Sequence, residues 1–221
     1  MQLSATIEIM VITYHGGEFF KAAFGDTTVA INPISKESKL SGAKFGADIA
    51  VVSLNDKDFN GIGQVTHGDK EPFAITGPGE YEVKKVFIKG LQSVSGYGGS
   101  DRINTVYSIV LEGMNLVFLG ALNSKKLNAD VKEALGNIDI LFVPIGGNGV
   151  LGTADAHAIA VDLEPKIVIP MHYGEIEEGK ESALAKFLKE DGGENGKPVD
   201  KLTIKKKDLD GKEGEIVVLK N

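Results

Sequence analysis

The chain has 221 residues, of which 42% are hydrophobic and 25% are charged, so it can form one large domain or two small ones. Its formal net charge of −7 argues against general binding to the phosphate backbone of nucleic acids. The absence of cysteine excludes disulfides, thiolate zinc sites and cysteine nucleophiles. No apolar run reaches the roughly 18 residues that cross a bilayer, and the N-terminal segment lacks the basic start of a signal peptide, so we expect a cytoplasmic protein.

Short segments rich in β-branched and apolar residues dominate the first half of the chain. Gly25-Asp26 separates two of them and predicts a hairpin, and Glu112-Gly113-Met114 predicts another. The continuous apolar run Asp48–Ser53 is typical of a strand that is buried on both faces. The predicted strands of this half are Ala5–Tyr14, Phe19–Phe24, Thr27–Ile31, Asp48–Ser53, Phe73–Ile75, Glu80–Ile88, Thr105–Leu111 and Asn115–Leu119.

The second half alternates helices with buried strands. Thr153 is the predicted N-cap of its helix, and the Gly-rich segment Asp191–Lys197 is predicted to be a surface loop. No linker separates the two halves, so we expect a single α/β domain that spans residues 1–221. The predicted elements are helices Asn128–Leu135, Thr153–Leu163 and Glu181–Lys189, and strands Ile138–Ile145, Lys166–Met171, Leu202–Lys207 and Glu215–Leu219.

An Asp-rich loop follows the buried strand at residues 48–53. Its Asp56 and Asp58, together with His172 after a later buried strand, would supply two carboxylates and one imidazole. That set could hold a single Zn, Mn or Fe ion. A purely structural interpretation stays open, in which Asp58 caps the loop, Asp56 is exposed and His172 forms a hydrogen bond at the sheet edge.

The other histidines and the glycine-rich loops are weaker signals. His15, His67 and His157 are expected on the surface or in packing contacts. The G-x-G-x-x-G spacing of residues 147–152 lies between a strand and a helix, as a dinucleotide site requires. The acid expected at the end of the next strand is missing, so a plain glycine-rich turn is the preferred interpretation. In the loop at residues 95–104, a ligand role for Tyr97, Asp101 or Arg102 stays open.

Five segments in order carry a resemblance to a known family. They read ITYHGGEFF with INP, the strand and loop Asp48–Gly63, GPGEYEV with FIKG, LVFLGAL, and IDILFVPIGG with PKIVIPMHYGE. Together they resemble the metallo-β-lactamase superfamily, and within it the branch of small hydrolases related to ascorbate-6-phosphate lactonase. The resemblance implies a four-layer αββα sandwich, a zinc site at one edge between the two sheets, and metal-dependent hydrolysis.

The resemblance also implies which positions would carry the ligands of two metal ions. Only Asp58 and His172 keep the residue type of the family. Leucine, phenylalanine and alanine offer no lone pair, whereas a catalytic zinc ion requires about three protein ligands and an open position for water. We therefore expect the dinuclear site to be lost. The substituted positions are Leu54, Asp56 and about Ser95 for the first metal, Phe59 for the second, Ala121 for a bridging Asp, Gly17 for an early His, and Asn32 for the Asp of an Asp-Pro pair.

Two hypotheses follow for the function. The first is a non-catalytic binding, scaffold or regulatory protein with no resident cofactor and no assigned catalytic residue. The second is a metal-dependent hydrolase with a non-standard mononuclear site on Asp56, Asp58 and His172, while metal-free chemistry or nucleotide binding is a minor alternative. The sequence leaves the substrate and the partner open, and because related proteins self-associate, a homo-oligomer is compatible with it.

Overall fold

Two β-sheets pack face to face in a computed structural model that describes residues 9–173, 182–190, 192 and 197–221. The first sheet has the strand order β12-β1-β2-β3-β4-β5, and the second has the order β13-β11-β10-β9-β8-β7-β6. The strands are β1 (Met10–Tyr14), β2 (Phe20–Phe24), β3 (Thr27–Ile31), β4 (Ile49–Val51), β5 (Phe73–Ile75), β6 (Gly79–Val83), β7 (Val86–Ser95), β8 (Arg102–Leu111), β9 (Met114–Phe118), β10 (Ile140–Pro144), β11 (Ile167–Met171), β12 (Leu202–Ile204) and β13 (Glu215–Ile216).

The main hydrophobic core lies between the two sheets. In β1, Met10, Ile12 and Tyr14 are buried while the alternate residues are half-buried, as the two-residue period of a strand requires. Side chains of the second sheet, such as Phe118 and Phe142, meet this face and complete the core. Strands β4 and β10 are buried on both faces, which confirms the prediction made from their continuous apolar sequences.

The outer faces of the two sheets are covered differently. Helices α1 (Ala129–Leu135), α2 (Thr153–Leu163) and α3 (Ala183–Glu190) pack on the second sheet through a second hydrophobic cluster. The first sheet is covered by irregular segments and a 3₁₀ turn at Ile62–Gln64, through a cluster that includes Phe19 and Ile34. The sandwich predicted from the resemblance is confirmed. Within the described residues, coil takes the place of α-helices in its outermost layer over the first sheet.

Parallel pairing brings several loops to one edge of the sandwich. Strands β3 and β4 are parallel in the first sheet, and β9, β10 and β11 are parallel in the second. The carboxyl ends of parallel strands meet at the same edge of a sheet, and this is where open α/β sheets place their sites. The segments after β3, β4, β9, β10 and β11 therefore form one continuous loop cluster. A hydrogen bond of 2.9 Å from Thr105 N–H to the Ser53 carbonyl ties the two sheets together there.

Four predicted elements need correction. The predicted strand Glu215–Leu219 ends at Ile216. The strand Glu80–Ile88 is two strands, β6 and β7, because Lys84 and Lys85 both take positive φ and form a tight hairpin turn. Helix α2 has Gly152 as its N-cap, so Thr153 is its first helical residue and provides no side-chain cap. The predicted strand Leu202–Lys207 ends at Ile204 and continues into a 3₁₀ turn at Lys206–Leu209.

The two hairpins predicted at Gly25-Asp26 and at Glu112-Gly113 are confirmed by antiparallel pairing of β2 with β3 and of β8 with β9. Residues 5–8 of the first predicted strand, Glu181 of the last predicted helix, and 191 and 193–196 of the Gly-rich loop lie outside the described residues. A single domain over residues 1–221 therefore stays a prediction. Within the described part of the chain, no helix is long and apolar enough to cross a membrane.

Candidate functional site

An apolar cluster occupies the loop edge of the sandwich. Leu54 and Phe59 come from the loop after β4, Ala121 from the segment after β9, and Val150 from the glycine-rich loop after β10. Phe59 is only 1% exposed, and its ring meets Tyr97 edge-on at a centroid distance of 4.8 Å. Three of these residues stand at positions where the resemblance implies metal ligands. Hydrocarbon side chains thus pack against one another where the family would place imidazoles, a carboxylate and water.

The two carboxylates of the loop after β4 bind protein groups. Asp58 accepts hydrogen bonds from the Ser38 hydroxyl on Oδ1 and from the Tyr97 hydroxyl on Oδ2, each at 2.5 Å. Asp56 forms an ion pair with Arg102, with 2.8 Å between Oδ2 and Nη1, and its Oδ1 accepts the Asp58 N–H. Both oxygens of each carboxylate are therefore already hydrogen-bonded within the protein.

Hydrogen bonds and burial keep the Asp56 carboxyl ionised and the Tyr97 hydroxyl protonated. Burial works against the charge of Asp56, but the hydrogen bonds from Arg102 and from the Asp58 N–H outweigh it and hold the pKa of Asp56 below its usual value. Burial and the hydrogen bond to the Asp58 carboxylate raise the pKa of Tyr97, so its hydroxyl keeps its proton and acts as a donor. Arg102 also donates to the Asn55 carbonyl, which fixes the backbone of the loop.

His172 is held by a buried carboxylate. Its Nδ1 lies 2.8 Å from Oε1 of Glu18, whose side chain is 0% exposed. The imidazole stacks on Phe59 at a centroid distance of 6.1 Å and meets the ring of Tyr97 edge-on at 5.5 Å. The His172 backbone has φ 54° and donates its N–H to the Gly17 carbonyl at 2.9 Å. Both the backbone and the ring of His172 are thus fixed by the segment that follows β1.

Asn32 completes this polar network. Its Nδ2 donates to Oε2 of Glu18 at 3.1 Å and to the Ser53 hydroxyl at 2.8 Å, and its Oδ1 accepts the Ser53 N–H at 2.7 Å. Asn32 has φ 48°, a left-handed conformation that asparagine tolerates better than most residues. Glu18, Asn32, Ser53 and His172 form a chain of hydrogen bonds that links both sheets; we call it the polar network.

Asn104 organises the segment after β9. It donates to the Leu119 carbonyl at 2.9 Å and accepts the Ala121 N–H at 3.0 Å. Between them Gly120 has φ 59°, and a Cβ there would lie 2.6 Å from Ser53 and Asn104. Only glycine is compatible with this close approach. Arg102 and Asn104 therefore both hold loops in place.

The described residues contain no vacant donor set for a metal ion. No group of three or more His, Cys, Asp or Glu side chains with metal-binding geometry occurs in the described ranges. No buried side-chain nitrogen or oxygen in these ranges lacks a hydrogen-bond partner. Asp56, Asp58 and His172 are located at one edge, as expected, but each is bound to a different partner.

The remaining histidines belong neither to the apolar cluster nor to the polar network. His15 contacts Phe19 and Phe45 with its ring, and His67 takes part in a tight turn with Lys70. His157 lies on α2, with its ring 6.3 Å from that of Phe187. Their expected packing roles agree with these contacts.

The glycine-rich loop at residues 146–152 packs against neighbouring backbone. A Cβ on Gly149 would lie 2.4 Å from the Gly96 carbonyl oxygen, and a Cβ on Gly146 would lie 1.9 Å from the His172 carbonyl oxygen. The Gly149 carbonyl accepts the Gly96 N–H at 2.9 Å. Within the G-x-G-x-x-G spacing, close packing therefore accounts for Gly149 and a φ of 69° accounts for Gly147, whereas nothing in the structure explains a glycine at Gly152.

The sequence did not predict that Glu18 would bind His172 or that Ser38 would bind Asp58. Glu18 follows Gly16-Gly17 and precedes two phenylalanines, and a lone acid at the start of an apolar strand is a signal that a buried partner exists. Ser38 carries no comparable signal, because it lies in a polar segment whose path over the sheet depends on the tertiary structure.

The sequence matches one protein family and several of its named members. The beta-lactamase superfamily domain matches residues 11–172. A UPF0173 metal-dependent hydrolase from Listeria innocua is 25% identical over 197 residues, covering 74% of this chain and 85% of its own length. A similarly named protein from Lysinibacillus sphaericus is 27% identical over 203 residues, with the same coverage.

Solved structures agree with the sequence comparison. A proposed zinc-dependent hydrolase of the metallo-β-lactamase superfamily from Thermotoga maritima superimposes with a TM-score of 0.75 at 27% identity, covering 95% of this chain and 98% of the other. A structure from Parabacteroides distasonis has a TM-score of 0.66 at 16% identity, covering 96% and 94%, and shares the fold. The chain is therefore similar over most of its length to proteins named as metal-dependent hydrolases.

Proposed function

Because this chain belongs to the beta-lactamase superfamily, we propose that it is a member whose metal centre is replaced by protein side chains, and that it acts as a non-catalytic binding, scaffold or regulatory protein. The observation that carries the proposal is the apolar cluster of Leu54, Phe59, Ala121 and Val150 at the loop edge. A hydrolytic metal ion needs donors and a bound water at this place, and hydrocarbon provides neither.

The two carboxylates that remain are engaged by other protein groups. A divalent ion on Asp58 would have to displace Ser38 and Tyr97, and one on Asp56 would have to displace Arg102, a pair that contributes about 0.5–1 kcal/mol because it is partly exposed. His172 shares Nδ1 with the buried carboxylate of Glu18, so Nε2 is the ring nitrogen that could bind an ion. One imidazole nitrogen is fewer than the three protein ligands that a catalytic zinc ion requires.

The names of the relatives favour a second candidate function. Proteins similar to this chain are named metal-dependent hydrolases, so a hydrolase with a mononuclear site on Asp56, Asp58 and His172 is the alternative. It would require the loop after β4 to rearrange so that these three side chains exchange their present partners for one ion.

A hydrolysis screen separates the two candidates. Purified protein is assayed on lactone, ester and phosphodiester substrates with added Zn, Mn or Fe, beside the Asp58→Ala and His172→Ala variants. We expect wild type and both variants to be equally inactive. Turnover by wild type that both variants lose would overturn the proposal and support the mononuclear hydrolase.

A further inference from the structure

A pocket of about 350 Å³ lies on the outer face of the first sheet. Its floor is formed by β1 and β2, and residues 43–45 form one wall. Thr13 and Lys21 are partners across these two antiparallel strands, so their side chains point to the same face. Met10, Ile12 and Tyr14 point from the opposite face of the sheet into the central core. The pocket shares no residue with the apolar cluster at the loop edge.

Basic groups converge on this pocket without an acidic counterpart. His15, Lys21 and Lys44 line it, and no carboxylate does. In the described part of the chain, neither lysine lies within 4.0 Å of a carboxylate, which is also true of other lysines there, such as Lys36 and Lys57. Lys21 and Lys44 differ from those lysines because they line one pocket that no carboxylate lines, and two cations in such a pocket favour a bound anion.

The aromatic wall holds one of these cations in place. The Lys21 ammonium lies 5.0 Å from the ring centroid of Phe45, and Phe45 stacks on the buried Phe19 at 5.6 Å. A cation–π contact of this kind orients the ammonium group and leaves its donors available to a ligand. Lys21 is therefore positioned before any ligand binds.

Two neutral hydrogen-bonding groups lie beside the ammonium. The Thr13 hydroxyl is 3.2 Å from Nε2 of His15. Burial, together with the nearby Lys21, lowers the pKa of His15, so the ring offers hydrogen bonds without adding a full charge at neutral pH. A hydroxyl, an imidazole and an ammonium within one small pocket are the groups that bind the oxygens of a phosphate or a carboxylate.

We propose that this pocket binds the oxyanion group, phosphate or carboxylate, of a small molecule, with Lys21 as the principal charged contact and Lys44 at the rim. The pocket volume lies in the range of small-molecule sites, and the net charge disfavours nucleic acid, so a small ligand is the class that matches. The proposal does not depend on whether Asp56, Asp58 and His172 bind a metal ion.

Calorimetric titration tests the proposal with inorganic phosphate and, separately, with acetate as probes. We expect one site per chain for at least one probe, with a Kd of about 1 mM or lower, and the stronger probe identifies the oxyanion. Lys21→Gln should raise that Kd about tenfold, because one charge-assisted contact is lost. Thr13→Val and Lys44→Gln should raise it by smaller factors, and they provide the test if Lys21→Gln does not fold.

Lys85→Gln is the matched control, because Lys85 is an exposed lysine in the β6–β7 turn of the other sheet. It makes the same charge change and should leave the Kd unchanged. The proposal is overturned if wild type binds neither probe at about 20 mM. It is equally overturned if the folded pocket variants bind as tightly as wild type, or if Lys85→Gln weakens binding as much as they do.

Discussion

The apolar cluster and the polar network lie side by side at the loop edge, and each includes at least one position where the resemblance implies a metal ligand. The apolar cluster removes donors, because Leu54, Phe59 and Ala121 have no lone pair to offer. The polar network instead holds His172 within the protein, since Glu18 bonds to both His172 and Asn32. Two different physical means, hydrophobic packing and hydrogen bonding, can therefore stabilise the same edge without a metal ion.

Phe59→Ala should break the apolar side of this comparison and have the largest effect. The ring is fully buried, so its removal leaves a cavity and should lower the free energy of unfolding by about 3–5 kcal/mol. Urea denaturation measures the change. Phe73→Ala is the matched control. Because Phe73 is 50% exposed, this variant should lose much less unfolding free energy. Equal losses in the two variants would contradict the structural role given to the cluster.

Glu18→Ala should break the polar side. It leaves His172 and Asn32 without their buried partner, which should cost about 2–4 kcal/mol of unfolding free energy. Glu18→Gln has the same size and can still contact His172 and Asn32, so it should lower the unfolding free energy less. Glu37→Ala removes an exposed acid and should hardly change the unfolding free energy. Thermal unfolding of the three variants gives the order directly; a wild-type melting curve for Glu18→Ala would show that the network is not stabilising.

Tyr97→Phe sharpens the comparison, because Tyr97 contacts both sides. Its ring packs on Phe59, while its hydroxyl donates to Asp58. Loss of a hydrogen bond to a charged group should cost about 1.5–3 kcal/mol, with the packing retained. Tyr81→Phe is the control, since the Tyr81 hydroxyl makes only long contacts of 3.3 and 3.4 Å to carbonyls. If urea denaturation shows the same loss of unfolding free energy in both variants, the Tyr97–Asp58 hydrogen bond is no stronger than the long contacts of Tyr81.

The smallest effect is expected at the Asp56–Arg102 pair. Asp56→Asn should lower the free energy of unfolding by about 0.5–1 kcal/mol at neutral pH, because the pair is partly exposed. The folded-state pKa of Asp56 lies below its unfolded value, so its contribution is complete above the unfolded pKa and is lost as pH falls through the folded pKa. The difference between wild type and Asp56→Asn should therefore shrink below about pH 4. A difference that grows in acid would contradict this assignment.

The sequence predicts the fold better than it predicts the site, for a physical reason. Strands such as Thr27–Ile31 and helix Thr153–Leu163 follow from local periodicity, which fixes both type and position. The hairpin at Lys84-Lys85 was missed because lysine is an uncommon residue at two successive positive φ angles.

Contacts in the site join residues far apart in the chain. Glu18 meets His172 across 154 positions, and Asp58 meets Tyr97 across 39. The resemblance predicts which ligand positions are substituted, but the protein groups that bind Asp56, Asp58 and His172 are set by tertiary packing.

Metal content is the measurement that tests the central claim most directly. Tag-free protein is dialysed against trace Zn, Mn and Fe, and bound metal is quantified by mass spectrometry in wild type and in Asp58→Ala. The account predicts about 0.1 metal ions per chain or fewer in both proteins, because the described part of the loop edge offers no group of three metal-ligating side chains. About one ion per wild-type chain that Asp58→Ala loses would contradict it and return Asp56, Asp58 and His172 to the role of metal ligands.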